Sequence, residues 1–138
     1  MLTKEEARKS CNWYVLDATG KTLGRFASEI VKILCGKHRA DYTPHAGCCD
    51  GVIVVNAGGI VVSGSKEARK KYFYYTGHIG GLRERSYRDV LNSKPEYIIT
   101  HAVKGMLPQS VRQQMTRLRV FRDDKHGMQA QKPITVNI

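Results

Sequence analysis

Trp13-Tyr14-Val15-Leu16-Asp17-Ala18 reads as a buried strand, and Thr19-Gly20 as the turn that ends it. Leu23, Phe26, Ala27, Ile30, Val31 and Leu34 then recur at a spacing that places them along one side of a helix. Thr22 stands where that helix opens, Cys35 where it closes, and Gly36 where a left-handed residue commonly stops it. Arg25, Glu29 and Lys32 fall on the wet side. Gly51-Val52-Ile53-Val54-Val55-Asn56 is a continuous apolar strand of the kind buried on both faces of a parallel sheet. Gly58-Gly59 breaks it, and Ile60-Val61-Val62 is a short second piece. Strand, helix, buried strand is a βαβ unit, which requires a right-handed crossover and a parallel sheet. The class is therefore α/β.

Downstream, cap signals mark three more helices. Ser86-x-x-Asp89 opens the first. Ser93-x-x-Glu96, with Pro95 in the first turn, opens the second, which closes at Gly105. Ser110-x-x-Gln113 opens the third, after Pro108. Leu118 to Arg122 reads as a strand and residues 125–138 as an extended tail. At 138 residues the chain is read as one domain, able to hold a core without disulfides or metals.

The charge is uneven. Lys and Arg number 23 against 12 Asp and Glu, a net of +11. Residues 1–69 carry a net of +3 and residues 70–138 a net of +8. From Lys104 to Arg122 there are five cations, Lys104, Arg112, Arg117, Arg119 and Arg122, and no acid. Cations kept together without counter-charges suit a polyanion, and nucleic acid leads because binding releases counterions from its phosphates. No basic amphipathic helix with a broad apolar face is present to suit a membrane. Residues 1–10 hold no apolar signal core, and Glu5 and Glu6 argue against a transit sequence, so a cytosolic protein is expected.

Gly20-Lys21-Thr22 sits where a phosphate-binding loop would, but that motif needs a glycine five positions earlier, and Val15 is there. A plain turn is expected, with no nucleotide site. Cys48 and Cys49 are adjacent and cannot match zinc-ligand spacing, so no metal or cofactor is expected. Cys11, Cys35, Cys48 and Cys49 are expected to stay unpaired in a reducing compartment. His38, His45, His78, His101 and His126 are scattered and carry no catalytic signature. The stretch from Lys66 to Gly81 alternates cations with aromatics and ends in a glycine-rich turn. Its Lys66, Arg69, Lys70 and Lys71 suit phosphates, its rings suit unpaired bases, and Gly80 and Gly81 allow close approach of a backbone. The competing account has Tyr72 and Phe73 filling the core at a helix end.

Several strings stand together in one order. They are Trp13 to Arg25, Gly36-Lys37-His38 with Tyr42-Thr43-Pro44-His45, Val52 to Ala57, Thr76-Gly77-His78-Ile79-Gly80-Gly81, and Val103-Lys104-Gly105-Met106-Leu107-Pro108. Together they resemble the bacterial-type ribosomal L13 family, from Trp13 to the C-terminus. The ten or so residues before Trp13 are variable in such proteins, and Tyr75 stands where histidine is common. The resemblance implies a three-layer α/β/α fold with a four-stranded, mostly parallel sheet. It implies a non-catalytic constituent of the large ribosomal subunit that binds large-subunit rRNA, beside neighbouring large-subunit proteins, and supports early assembly. No membrane or small-molecule substrate is expected. The RNA contacts it implies are Lys37, His38, Arg39, Tyr42 and His45; Thr76, Gly77, His78, Gly80 and Gly81; and Lys104 and Gly105, with Met106 and Leu107 read as contact or core. Arg83 is added from the glycine-rich turn, and Arg112, Arg117, Arg119 and Arg122 from charge.

Overall fold

The computed structural model describes residues 11–40, 42 and 50–137. The βαβ unit is present. Strand β1 (Trp13–Asp17) runs parallel to β2 (Gly51–Val55), in register from Trp13 opposite Gly51 to Asp17 opposite Val55. Between them lies helix α1 (Leu23–Leu34), with Leu23, Phe26, Ala27, Ile30 and Leu34 buried. Gly36 takes the expected left-handed conformation, φ 78°. Its N–H donates to the Ile33 carbonyl at 2.9 Å and the Lys37 N–H to the Lys32 carbonyl at 3.0 Å, so both closing bonds of a Schellman stop are made.

The sheet has four strands in the order β5 (Leu118–Val120), β2, β1, β6 (Ile134–Thr135), every neighbouring pair parallel. Strand β5 (Leu118–Val120) is shorter than the expected 118–122. Strand β6 (Ile134–Thr135) comes from the C-terminal tail, which returns to pair with β1. The α/β class and the four-stranded sheet stand as expected. Ile60–Val62 is not a strand: Val61 makes one parallel bridge to Thr22. Through it the Leu23 N–H donates to the Val61 carbonyl at 2.9 Å, and backbone rather than the Thr22 side chain opens α1.

A short helix α2 (Lys66–Arg69) leads into an antiparallel hairpin that sequence reasoning missed, β3 (Lys71–Tyr75) and β4 (Leu82–Ser86). Helix α3 (Tyr87–Ser93) opens as expected, with the Asp89 N–H donating to Ser86 Oγ at 3.2 Å. The following start shifts by one residue. Ser93 ends α3, its hydroxyl donating to the Asp89 carbonyl at 2.8 Å, and α4 (Pro95–Met106) begins at Pro95. The segment Gln109–Arg117 is a run of 3-10 turns rather than the expected α-helix. It has no fully buried residue, so no packed face selects the α-helical period.

One core joins α1 and α4 to the sheet through Leu16, Val52, Val54 and Leu118, together with Tyr72, Ile98, Ile99 and Val103. Gly51 is required by the register. A Cβ there would meet the Trp13 indole, 2.6 Å from Cδ2. That register also brings Cys11 to the start of β2, and Cys11 is disulfide-bonded, against the expectation of unpaired cysteines. Cys35 is free and buried, and burial pushes its thiol pKa up. Cys48, Cys49 and His45 lie outside the described residues.

Candidate nucleic-acid interface

Three places collect the cations and aromatics singled out above, and one disperses them. The turn at Gly20-Lys21-Thr22 is not among them. Its amides are already used: Gly20 donates to the Gly59 carbonyl at 3.0 Å, Lys21 to Ala18 at 3.1 Å and Leu23 to Val61 at 2.9 Å. A phosphate would find no ring of free N–H groups there.

In the first loop Arg39 faces inward. Its Nε donates to Asp50 Oδ2 and its Nη2 to Asp50 Oδ1, each at 2.7 Å, a two-pronged pairing with a carboxylate of zero exposure. His38 Nε2 lies 3.1 Å from the same carboxylate, and the Asn12 N–H donates to Oδ1 at 3.0 Å. His38 also meets the Tyr14 ring edge-on at 5.4 Å. A buried carboxylate persists only when paired and hydrogen-bonded, so this cluster ties the loop to the start of β2. The pairing of Asp50 with Arg39 was not legible in the sequence, where the two stand eleven positions apart. Lys37 and Tyr42 are exposed beside it.

The second place is a groove of about 760 Å³ beside the first turn of α1. Arg25, Lys66 and Lys70 line it, over a floor that includes Val62, Ala102 and Met106. The described acids adjacent in sequence are occupied elsewhere, Glu29 with Lys32 at 3.1 Å and Glu67 with Arg88 at 3.2 Å. Among the described residues no carboxylate pairs with these three cations. The sequence placed Arg25 on a wet helix side with no role. The Thr22–Val61 bridge returns the chain to the start of α1, beside which Arg25, Lys66 and Lys70 line one groove.

The third place is the hairpin. The Thr76 N–H donates to the Gly81 carbonyl at 3.1 Å and the Gly81 N–H to the His78 carbonyl at 2.9 Å, closing the tip. Gly77 and Gly80 are left-handed, and a Cβ on Gly81 would meet Thr76 Oγ1. The glycines thus serve the turn itself. Strand alternation puts Tyr72, Tyr74, Arg83 and Arg85 on one face and Phe73, Tyr75 and Leu82 on the other. Tyr72 is buried, whereas Phe73, Tyr74, Tyr75 and Ile79 are exposed. The core-filling account therefore holds for Tyr72 and not for Phe73. Lys71 is paired with Glu84 at 2.9 Å, and Arg69 is exposed.

The acid-free run is divided by the fold. Val103 and Leu107 are core, while Lys104, Gly105 and Met106 are exposed. Arg112 is exposed on the 3-10 run and Arg117 is engaged. Arg119, opposite Ile53, faces the other side of the sheet from Leu118 and Val120. Arg122 donates to the Asn92 carbonyl at 3.5 Å. Adjacency in sequence did not become one patch.

Among the described residues no helix is long and apolar enough to cross a membrane. The family described as Ribosomal protein L13 matches residues 11–127. Similar proteins carry the name large ribosomal subunit protein uL13. That of Thermoanaerobacter sp. (strain X514) is 50% identical over 100% of this chain and 96% of its own length. That of Clostridioides difficile (strain 630) is 53% identical over 91% and 89%. That of Chlamydia caviae is 46% identical over 99% and 93%.

Proposed function

The chain belongs to the ribosomal protein L13 family, and from that premise we propose that it is a non-enzymatic constituent of the large ribosomal subunit that binds large-subunit rRNA. In this reading it works in the cytoplasm, within the ribosome, beside other large-subunit proteins, and it supports early assembly of the subunit.

The observation that carries the RNA reading is the groove of Arg25, Lys66 and Lys70, three cations with no carboxylate partner among the described residues. Concentrated, unneutralised positive charge gains free energy by displacing counterions from a phosphate backbone. The exposed Lys37, Tyr42, Arg69, Arg83, Lys104 and Arg112 extend that surface. Thr76, Gly77, His78, Gly80 and Gly81 shape a hairpin tip that reaches into RNA. Arg39 and His38 support the surface from beneath, through Asp50, rather than touching phosphate. Arg119 and Arg122 meet RNA only where it wraps past the edge of the sheet.

Sedimentation of cell extract through a gradient, after a high-salt wash, tests this. The protein should travel with the large subunit. Recovery at the top of the gradient, free of subunits, would overturn the proposal.

A further inference from the structure

The hairpin encloses a second, smaller groove, of about 310 Å³, against α3 and α4. Tyr72, Tyr74, Arg85, Val90, Lys94 and Tyr97 line it. That volume lies at the small end of ligand pockets. Tyr72 is fixed in place, meeting the Tyr97 ring edge-on at 5.7 Å and the His101 ring at 5.4 Å. Tyr74 and Tyr97 are 47% and 43% exposed, so each leaves part of its ring open to a ligand. The Arg85 guanidinium stands over Tyr74, 5.9 Å from its centroid, and Lys70 over Tyr72 at 5.5 Å. Among the described residues no carboxylate pairs with Arg85 or Lys94. The Tyr72 hydroxyl is buried and has no hydrogen-bond partner among the described residues. Buried hydroxyls are almost always paired, so an orphan in the wall of a groove marks a place where a ligand atom belongs.

We infer that this groove holds one unpaired nucleobase of the bound RNA. The base stacks on Tyr74 or Tyr97 and hydrogen-bonds to the Tyr72 hydroxyl, while Arg85 and Lys94 take the adjoining phosphates. The inference rests on the RNA-binding function proposed above and adds what part of the RNA is read and where. Rings combined with unpaired cations suit a base with its phosphate, since every base offers a face for stacking and each link carries one negative charge. A paired base keeps both faces covered by its neighbours, so the nucleotide must lie in a loop, bulge or end. Burial pushes the Tyr72 phenol up to about 12, so the hydroxyl keeps its proton wherever RNA binds.

The test uses the full-length protein and deproteinised large-subunit rRNA. Tyr74→Ala and Tyr97→Ala should each bind roughly tenfold or more weakly, with the salt dependence unchanged, because stacking displaces no counterions. Tyr74→Phe and Tyr97→Phe should bind like wild type. Tyr72→Phe, which removes only the orphan hydroxyl, should weaken binding severalfold. Ultraviolet irradiation of the wild-type complex should crosslink a base to the peptide holding Tyr74 or Tyr97. Alanine variants that bind the RNA like wild type overturn the pocket and leave the RNA-binding function standing. So do variants that bind RNA normally yet drop out of large subunits, which would assign the groove to a protein neighbour. If an alanine variant does not fold, the wild-type crosslink decides, and its absence from both peptides overturns the pocket. Failure of wild type to bind the RNA removes the function and the pocket together.

Discussion

Replacing Arg39 with Met separates support of the interface from contact with RNA. Asp50 has zero side-chain exposure and Arg39 only 20%, and two 2.7 Å hydrogen bonds join them. Removing the arginine leaves the buried Asp50 carboxylate to His38 and the Asn12 N–H, without its main counter-charge, at a cost of up to about 3–5 kcal/mol. A domain of this size has a total stability of roughly 5–15 kcal/mol, so the loss is a large share of it. At ~3–5 °C per kcal/mol for this chain length, Arg39→Met should melt roughly 10–20 °C below wild type. Arg39→Lys should fall between, since an ammonium cannot present the two-pronged fork. The double change Arg39→Met, Asp50→Leu should recover part of the loss, because it removes the buried charge while leaving the Asn12 N–H and His38 without their acceptor. Circular dichroism melts with urea titrations measure all four proteins. If Arg39→Met melts within about 2 °C of wild type yet binds rRNA poorly, the arginine is an RNA contact and the buried pairing is not what holds it.

The groove cations should act through salt. Arg25→Gln, Lys66→Gln, Lys70→Gln together should flatten the log–log salt dependence of rRNA binding by about two units, at roughly 0.7–0.9 per phosphate contact. Arg112→Gln, Arg117→Gln, Arg119→Gln should flatten it less, because Arg117 is engaged and Arg119 faces the other side of the sheet; filter binding at several salt concentrations compares the two sets. Gly81→Ala puts a Cβ 2.8 Å from the His78 carbonyl and against Thr76 Oγ1, so amides of residues 71–86 should exchange faster, with about 1–3 kcal/mol lost from the melt. Hydrogen exchange matching wild type would show that the tip accommodates the methyl. Asp17 accepts hydrogen bonds from the Thr19 N–H, the Thr19 hydroxyl and the Asn56 amide, which hold its pKa below 3.8. A depressed carboxyl gives its stabilisation in full above the unfolded value of 3.8 and loses it as pH falls through the folded value. An NMR titration midpoint for Asp17 at or above 3.8 would contradict that network.

The βαβ unit was legible because Trp13–Ala18, the Leu23–Leu34 face and Gly51–Asn56 are local patterns, each set by its own period. The hairpin was hidden for two reasons. Tyr72-Phe73-Tyr74-Tyr75 is aromatic on both faces, so it shows no alternation, and its partner Leu82-Arg83-Glu84-Arg85-Ser86 is mostly charged. Strand β6 was hidden by its length, two residues with no run to read. The site was legible in its types more than in its geometry. Lys66 and Lys70 line a basic groove together with Arg25, next to the Thr22–Val61 bridge, a contact that no local pattern announces. The pairing of Arg39 with Asp50, eleven positions on, was not legible, because the start of β2 and not sequence spacing brings the two together. The run from Lys104 to Arg122 looked like one patch because a linear reading cannot see Arg119 turn to the far side of the sheet.

RNA binding is decided by equilibrium measurements on the purified full-length protein and deproteinised large-subunit rRNA across a salt series. Binding should be tight and weaken linearly on a log–log plot, with a slope of at least about two units supplied by the groove of Arg25, Lys66 and Lys70. No binding at low salt, or an affinity indifferent to salt, would contradict it.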